Sequence, residues 1–269
     1  MRTSIHVNLD LCCHCGQCVQ DCVTHALILD DADIPAFAEG KEKNCVGCQH
    51  CMAICPTGAL SFGGKNPEDS LPVGMGKSDD LLRLIQSRRS IRFYKKEDVG
   101  QEMLGKLSAM LPYIPTGGNA DNLYFTLIGS RKKMDAIRKT TYECMAKASD
   151  PSPMFIMARD AYAAGNDVVY RGAPSLIAVA IDKEKTIPGC EMADPIIALS
   201  YCELYAQSLG LGTLWCDYAV LCAKQIPEVM ALLEIPQNYE LVYILLFGLP
   251  AVHYARTIQP ELFTIRVLQ

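Results

Sequence analysis

Long apolar runs are missing from this sequence. Among its 269 residues no stretch of about 18 uninterrupted apolar residues occurs, which is the length that a helix needs to cross a bilayer. The N-terminal residues MRTSIHVNLD also lack the apolar core of a signal peptide. We therefore expect a soluble protein of the reducing cytoplasm, with no membrane partner. Half of the residues are apolar, which is enough for a small module plus a domain with a substantial core.

An excess of basic residues is also missing. Residues 1–65 carry seven acidic and four basic residues, and the remainder carries 23 and 21. Neither part offers the basic stripe that nucleic acids require, so we expect no nucleic-acid partner. A complete phosphate-binding P-loop is absent too, because Leu71 stands where the motif ending in Gly76, Lys77 and Ser78 needs a glycine. We interpret residues 64–78 as a linker, with Ser78 as the N-cap of the helix that follows.

Cysteine is abundant, and eight of the 14 cysteines form two runs with matching spacing. Each run has three cysteines at steps of three and a fourth cysteine four residues later, as in bacterial ferredoxin segments, where the fourth serves the other cluster. A zinc ribbon would use two separated pairs of ligands, and disulfides would need an exported chain. The spacing therefore predicts two 4Fe-4S clusters, one held by Cys12, Cys15, Cys18 and Cys55 and the other by Cys45, Cys48, Cys51 and Cys22.

Cys13 lies beside this pattern but breaks its spacing, so we interpret it as a spare thiol. His14, His25 and His50 lie near the runs, but cysteines already fill all eight ligand positions. The sequence supports no Ser-His-Asp arrangement, so nothing in it indicates a nucleophilic hydrolase.

A helix followed by an arginine-rich segment opens the second half of the chain. Apolar residues recur at helical spacing over residues 81–85, and the chain continues as Arg88-Arg89-Ser90-Ile91-Arg92. In an extended segment Arg88, Ser90 and Arg92 would project from one side, since side chains alternate along a strand. Two guanidinium groups flanking a hydroxyl group suit a phosphate dianion. The segment alone is equally consistent with a solvated basic helix end.

The order of motifs over residues 79–269 resembles the nitroreductase family of FMN-dependent flavoenzymes. The matching segments are LIQSRRSIRFY, the loop IPTGGN before a strand, SLGLGT, FGLP and a final Arg256. With the cysteine-rich residues 1–63 in front, the chain resembles a fusion of a two-cluster ferredoxin domain with a nitroreductase. The resemblance implies an α+β fold, in which a small ferredoxin-like domain precedes a central, mainly antiparallel sheet with surrounding helices. It also implies bound FMN and a homodimer.

The resemblance further implies which residues contact FMN. Arg88, Ser90 and Arg92, together with Arg256, would hold the phosphate, and the loop after Ile114 would reach a flavin bound mainly by the partner subunit. Residues 214–217 would lie beside the isoalloxazine ring, where a backbone N–H group donates to N5. Asn166 and Arg171 would contact the pyrimidine edge. The implied cofactor-binding residues are Arg88, Arg89, Ser90, Arg92, Pro115, Thr116, Gly117, Asn119, Asn166, Arg171, Leu214, Trp215, Cys216 and Arg256.

Several further elements follow from pattern and resemblance. Residues 194–209 predict a helix that is apolar nearly all round, at the dimer interface of the family. Strands are predicted at 124–129, 175–181 and 240–247, with a terminal strand at 262–268 that pairs with the partner's sheet. One departure concerns the substrate: the family often continues the Asn119 loop with Gln-Pro-Trp, whereas residues 120–123 differ here. The family's usual substrate therefore does not carry over.

We expect an oxidoreductase in which electrons enter through the clusters, reduce FMN and leave to a nitroaromatic, a quinone or another small conjugated acceptor. Ferredoxin or flavodoxin would supply the electrons. Two alternatives stay open. In the first, NAD(P)H reduces FMN directly, and the missing GxGxxG motif does not exclude this because single-domain members of the family lack it too. In the second, the chain is a non-catalytic electron carrier or redox sensor. No proton donor and no catalytic residue is predicted.

Overall fold

The computed structural model describes residues 4–261 and 263–268, and it divides into two compact units. Unit 1 comprises Met1–Met75 together with Gly118–Ala120, and unit 2 comprises Gly76–Gly117 and Asp121–Gln269. The division at Met75 falls within the predicted linker, although the predicted domain boundaries stay a prediction. Each unit has a hydrophobic core of its own.

Unit 1 consists of short strands and one-turn helices. The elements in chain order are β1 (Ile5–Val7), α1 (Gln17–Gln20), β2 (Leu27–Leu29), β3 (Pro35–Phe37), α2 (His50–Ala53) and β4 (Leu60–Phe62). β1 pairs with β4 and β2 pairs with β3, both antiparallel. Met52, Leu60 and Phe62 are buried together with Cys18. This small core holds the two cysteine runs against each other.

Unit 2 is an antiparallel sheet with helices packed on it. The elements are α3 (Ser78–Ser87), α4 (Gln101–Met110), β5 (Leu123–Ile128), α5 (Arg131–Lys147), α6 (Pro153–Ala163), β6 (Ser175–Ile181), α7 (Ala193–Ser208), β7 (Gly212–Trp215), α8 (Asp217–Gln225), α9 (Pro227–Leu232) and β8 (Glu240–Gly248). The strand order of this sheet is β5-β6-β8-β7, with every pair antiparallel.

The central strand β6 shows how the sheet is covered on both faces. Its sequence SLIAVAI is a continuous apolar run, and all of its residues are buried. Because successive side chains point to opposite faces, Leu176 and Ala178 pack with α5, α6 and α8, whereas Ile177 and Val179 pack with α4 and α7. The predicted mainly antiparallel sheet with surrounding helices is confirmed.

Two expectations on local structure come out differently. Ser78 is the first residue of α3, and Lys77 occupies the N-cap position instead. Residues 263–268 form no strand with the rest of the described chain, and Leu262 of the predicted terminal strand lies outside the described residues. A strand needs a hydrogen-bonding neighbour, and the expected neighbour was the sheet of another subunit. In the part of the chain that the structure describes, no helix is both long and apolar enough to span a membrane.

Candidate functional site

Unit 1 contains two hollows, and each is bordered by four of the eight predicted cluster cysteines. The first hollow is lined by Cys12, Cys15, Cys18 and Cys55, with Cys13 beside them. The second is lined by Cys22, Cys45, Cys48 and Cys51. Each hollow combines three cysteines of one run with the fourth cysteine of the other run. The cluster ligands stay a prediction, which this grouping supports.

The two runs also fold alike. The residue after the second cysteine of each run, Gly16 or Gln49, adopts a left-handed conformation with φ of 68° or 61° and begins a one-turn helix. Among the described residues no three His, Cys, Asp or Glu side chains converge on the position of a single metal ion. Thiols that stand apart around a hollow suit the separate iron atoms of a four-iron cluster.

Hydrogen bonds favour the thiolate form at the fourth cysteine of each run. Cys22 Sγ lies 3.7 Å from Thr24 Oγ1, and Cys55 Sγ lies 3.7 Å from Thr57 Oγ1. Burial alone would raise the pKa of Cys22 and of Cys55, but these hydroxyl groups and neighbouring backbone N–H groups outweigh it and lower both pKa values. Burial raises the pKa of Cys51 to about 11. Because iron binds the thiolate, cluster binding would have to displace that proton.

Unit 2 contains a cavity of about 620 Å³ at the end of β7. This volume lies within the range of about 300–1,000 Å³ that is typical of small-molecule sites. Five of the predicted FMN contacts border it: Arg92, Arg171, Leu214, Trp215 and Cys216. Asp217, which was predicted to lie beside the isoalloxazine ring, borders it too, whereas sequence reasoning missed the remaining lining residues, Met154, Val168, Val169, Tyr218, Val220, Leu221 and Lys224. For Tyr218, Val220, Leu221 and Lys224 the sequence signal is the position of α8 directly after β7.

The junction of β7 and α8 determines which backbone groups face this cavity. The Cys216 N–H group donates to Ile244 O at 3.0 Å, so it is engaged in the sheet and is not free for a ligand. The next residue, Asp217, begins α8, and the first N–H groups of a helix have no partner within the helix. The Cys216 thiol donates to Val169 O at 3.2 Å, and burial raises its pKa to about 11. Cys216 is therefore a neutral thiol at neutral pH.

The cavity combines an apolar wall with positive charge. Arg92, Arg171 and Lys224 border it, against the single carboxylate of Asp217. The Tyr243 hydroxyl donates to that carboxylate, and the Tyr243 ring meets Trp215 edge-on at 5.1 Å between centroids. Such a lining suits a ligand with a flat apolar part and an anionic part.

The arginine-rich segment is extended, as its predicted role requires. Ser90 forms a parallel bridge with Thr213 of β7, and Ile91 N donates to Thr213 O at 2.8 Å. Arg88 Nη1 lies 3.4 Å from Glu203 Oε1, which also accepts a hydrogen bond from Thr213 Oγ1 at 3.1 Å. Glu203 is buried on α7, and an acidic residue in the middle of a helix that is apolar nearly all round was the signal for it.

Arg89 is separated from the other arginines of this segment. It borders a second cavity, of about 230 Å³, together with Gln207 and His253. Its Nη1 donates to the carbonyls of Gln86, at 3.0 Å, and of Arg88, at the C-terminal end of α3. A basic side chain there satisfies the last carbonyl groups of the helix. Arg89 thus acts as a helix cap here and does not share the cavity of Arg92.

The loop after Ile114 has a structural explanation within this chain. Gly117 N donates to Asp194 Oδ1 at 3.0 Å, and a Cβ atom on Gly117 would lie 2.6 Å from Cys190 Sγ. A side chain at this position would therefore require the Cys190 thiol to move. Asn119 belongs to unit 1, where its Nδ2 donates to Val46 O at 2.9 Å. Neither residue, nor the neighbouring Pro115 and Thr116, lines the 620 Å³ cavity.

Two predicted FMN contacts lie in exposed positions away from the cavity lining. Asn166 is exposed, and its N–H group donates to Ala161 O at 2.9 Å. Arg256 is exposed in the segment that follows β8. Their predicted contacts to FMN stay predictions.

Comparison with known proteins places the chain in a family. The model of the nitroreductase family matches residues 85–249, more than half of the chain, and the chain belongs to that family. A model of the 4Fe-4S dicluster domain matches residues 10–60. These matches confirm the predicted nitroreductase-family oxidoreductase with an N-terminal two-cluster domain.

Individual relatives agree with this assignment. The chain is 27% identical over 183 residues to a 5,6-dimethylbenzimidazole synthase of Rhodospirillum rubrum, covering 64% of this chain and 82% of that protein. A nitroreductase of Bacteroides fragilis with bound FMN superposes with a TM-score of 0.57 at 22% identity, covering 69% of this chain and 98% of that one. An FMN-bound nitroreductase of Desulfitobacterium hafniense superposes with a TM-score of 0.55 at 21% identity, covering 71% of this chain and 100% of that one. At these identities the two structures show the fold alone.

Proposed function

We propose that the protein is an FMN-dependent oxidoreductase that passes electrons from two 4Fe-4S clusters through FMN to a small conjugated acceptor, such as a nitroaromatic or a quinone. The observation that carries this proposal is the combination, in one chain, of two four-cysteine hollows with a cationic, apolar-walled cavity. A cluster transfers one electron at a time, whereas FMN, when bound, exchanges one electron or two and so connects clusters to organic acceptors.

The residues around the cavity of unit 2 fit an isoalloxazine ring and its negative charge. Trp215 and Leu214 offer the apolar wall, and Arg92, Arg171 and Lys224 offer positive charge. The start of α8 at Asp217 brings N–H groups without an acceptor inside the helix, and the positive end of the helix dipole, to the same place. We assign the hydrogen bond to flavin N5 to these N–H groups, because the Cys216 N–H group is engaged with Ile244.

The FMN phosphate is assigned to Arg88, Ser90, Arg92 and Arg256. The extended conformation of residues 88–92 supports the first three, since alternate side chains then share one side. Arg88 also forms an ion pair with Glu203, with Nη1 and Oε1 3.4 Å apart. Arg89 was predicted as a cofactor-binding residue outside this phosphate set; it caps α3 and borders the 230 Å³ cavity, and its contact to FMN stays a prediction.

An apolar surface supports the expected homodimer. On α3, Leu81, Leu82 and Ile85 are about half exposed, and on α7, which packs against α3, Tyr201 is 48% exposed. An exposed apolar patch of this kind is typical of a protein–protein interface. We assign it to a second copy of the chain, in line with the helix that was predicted at the interface.

The test is the composition and reduction of the protein purified without oxygen. We expect about eight iron and eight sulfide per chain, since each of two clusters holds four of each, together with one FMN. A low-potential ferredoxin should reduce the flavin faster than NADPH does. Protein that carries clusters but retains no flavin would contradict the proposal. Fast reduction by NADPH after loss of the clusters would favour direct reduction by the nicotinamide instead.

A further inference from the structure

Residues 166–172, between α6 and β6, border the 620 Å³ cavity without belonging to a helix or strand. Val168, Val169 and Arg171 of this segment line the cavity. Arg171 adopts a left-handed conformation with φ of 54°, and Gly172 follows with φ of 67°. A long side chain occupies that region only where its surroundings fix it. Something must therefore hold the backbone on both sides of Arg171.

The carboxylate of Asp167 does so. Its Oδ1 accepts from Tyr170 N at 2.9 Å, and its Oδ2 accepts from Gly172 N at 2.9 Å. Tyr170 and Gly172 are the two neighbours of Arg171, so one carboxylate clamps the chain immediately before and after this residue. The clamp closes a short loop that leaves the Arg171 side chain at the cavity.

The same carboxylate is anchored to α5. Arg138 Nε donates to Asp167 Oδ2 at 2.7 Å, and the Tyr142 hydroxyl donates to Oδ1 at 2.7 Å. Arg138 and Asp167 are 8% and 13% exposed, so the pair is shielded from water. With four donors on two oxygens, the acceptor capacity of the carboxylate is largely filled. Burial and the Asp167 charge raise the pKa of Tyr142, which keeps its hydroxyl group a donor.

Two further bonds connect the segment to the cavity wall. The Tyr142 hydroxyl accepts from Val169 N at 3.1 Å, while Val169 O accepts the Cys216 thiol at 3.2 Å. The segment is thus tied to α5 on one side and to the end of β7 on the other. A displacement of Asp167 would be transmitted to Arg171 and to the wall beside Trp215.

We propose that Asp167 is a positioning residue that holds the Arg171 guanidinium at the cavity, where Arg171 favours the added negative charge of reduced flavin over oxidised flavin. This inference rests on the proposed function, because it requires FMN in the cavity. A cation near the pyrimidine edge binds the reduced, more anionic form more tightly, and tighter binding of the reduced form raises the midpoint potential.

The test is a double-mutant cycle on the full chain with its clusters retained. Asp167→Asn keeps the shape of the side chain but replaces one carboxylate oxygen with an NH₂ group. At the position of Oδ2 this group cannot accept the hydrogen bonds from Arg138 and Gly172. Arg171→Gln removes the charge. FMN-depleted protein is reloaded with FMN, and the flavin potential is obtained by difference against the depleted protein. Asp160→Asn, an exposed carboxylate of α6 paired with Arg159, is the matched control and should leave the potential unchanged.

If the inference is correct, each single variant lowers the preference for reduced flavin by roughly tenfold, which corresponds to about 30 mV for two electrons. The double variant should then match Arg171→Gln alone, since Asp167 acts through Arg171. Additive effects on the potential would show that Asp167 acts independently of Arg171. A lower melting temperature with an unchanged potential would show a purely structural role. Either result would overturn the inference. If Asp167→Asn does not fold, Tyr142→Phe provides the same cycle with one donor removed.

The outcomes separate this inference from the proposed function. Wild-type protein that binds no FMN would overturn both. Wild-type protein that binds FMN, with a potential that Asp167→Asn and Arg171→Gln leave unchanged, would overturn the positioning role and leave the function standing.

Discussion

Replacing Arg88 tests the phosphate site most directly, because the structure separates two roles for this side chain. As a phosphate ligand, its guanidinium would contribute a charge-assisted hydrogen bond of about 1.5–3 kcal/mol. Arg88→Gln should then weaken FMN binding by roughly 10- to 100-fold. As a partner of Glu203 at 3.4 Å it also contributes to folding, but Arg88 is 37% exposed and solvent screens the pair. The screened pair itself contributes about 1 kcal/mol or less, but Arg88→Gln also leaves the buried Glu203 carboxylate without its counterion, which adds to the loss of stability.

Glu203→Gln is the matched control for this experiment. It removes the same ion pair and keeps the guanidinium group, and Thr213 can still donate to the amide oxygen at this position. We expect a smaller loss of stability than for Arg88→Gln, because no uncompensated buried charge remains, and no loss of FMN affinity. Affinities are measured by flavin fluorescence quenching on FMN-depleted protein, and stability by thermal unfolding.

Riboflavin isolates the phosphate contribution, since it shares the isoalloxazine contacts and lacks the phosphate. Arg88→Gln should leave riboflavin binding nearly unchanged. If Arg88→Gln and Glu203→Gln weakened FMN and riboflavin equally, the ion pair would support the fold alone. The phosphate role of Arg88 would then have to be withdrawn.

Two other predictions concern the clusters and the assembly. Cys51→Ser should lose the iron of one cluster, because Cys51 borders the second hollow at a ligand position, whereas Cys13→Ser should keep both clusters although Cys13 borders the first hollow. Iron analysis decides this, and equal iron contents would contradict the ligand assignment. Removal of residues 261–269, in which Phe263 is 87% exposed, should weaken both dimerisation and FMN retention. A truncated chain that stays dimeric with full flavin content in light scattering and absorbance would refute the exchange of the terminal strand.

Sequence patterns predicted the elements whose determinants are local. The run SLIAVAI ends at turn residues and is apolar throughout, so its bounds as β6 were predicted without error. The terminal strand depends on another subunit, and a pattern within one chain cannot supply its partner. The N-cap of α3 was predicted at Ser78, whereas the structure has Lys77 there, because serine is favourable both at the N-cap and in the first turn of a helix.

The candidate site divides in the same way. Spacing alone grouped the cysteines into two sets of four, because three ligands of each set lie within one short segment. The contacts that shape the cavity of unit 2 are non-local. Arg138 lies on α5 and Asp167 in the loop before β6, 29 positions apart, and neither sequence segment predicts contact with the other. The engagement of the Cys216 N–H group is likewise fixed by the register of β7 against β8.

The positioning role of Asp167 likewise depends on contacts between residues that are far apart in the sequence. The family resemblance identified Arg171 from its position in the sequence, but it did not show which contacts fix the guanidinium group at the cavity. Tyr170 N and Gly172 N, on either side of the left-handed Arg171, donate to one carboxylate, and Arg138 neutralises that carboxylate in the interior. The cation that we assign to reduced flavin thus depends on an ion pair behind the cavity wall. The flavin potential should therefore respond to Arg138 as well as to Arg171.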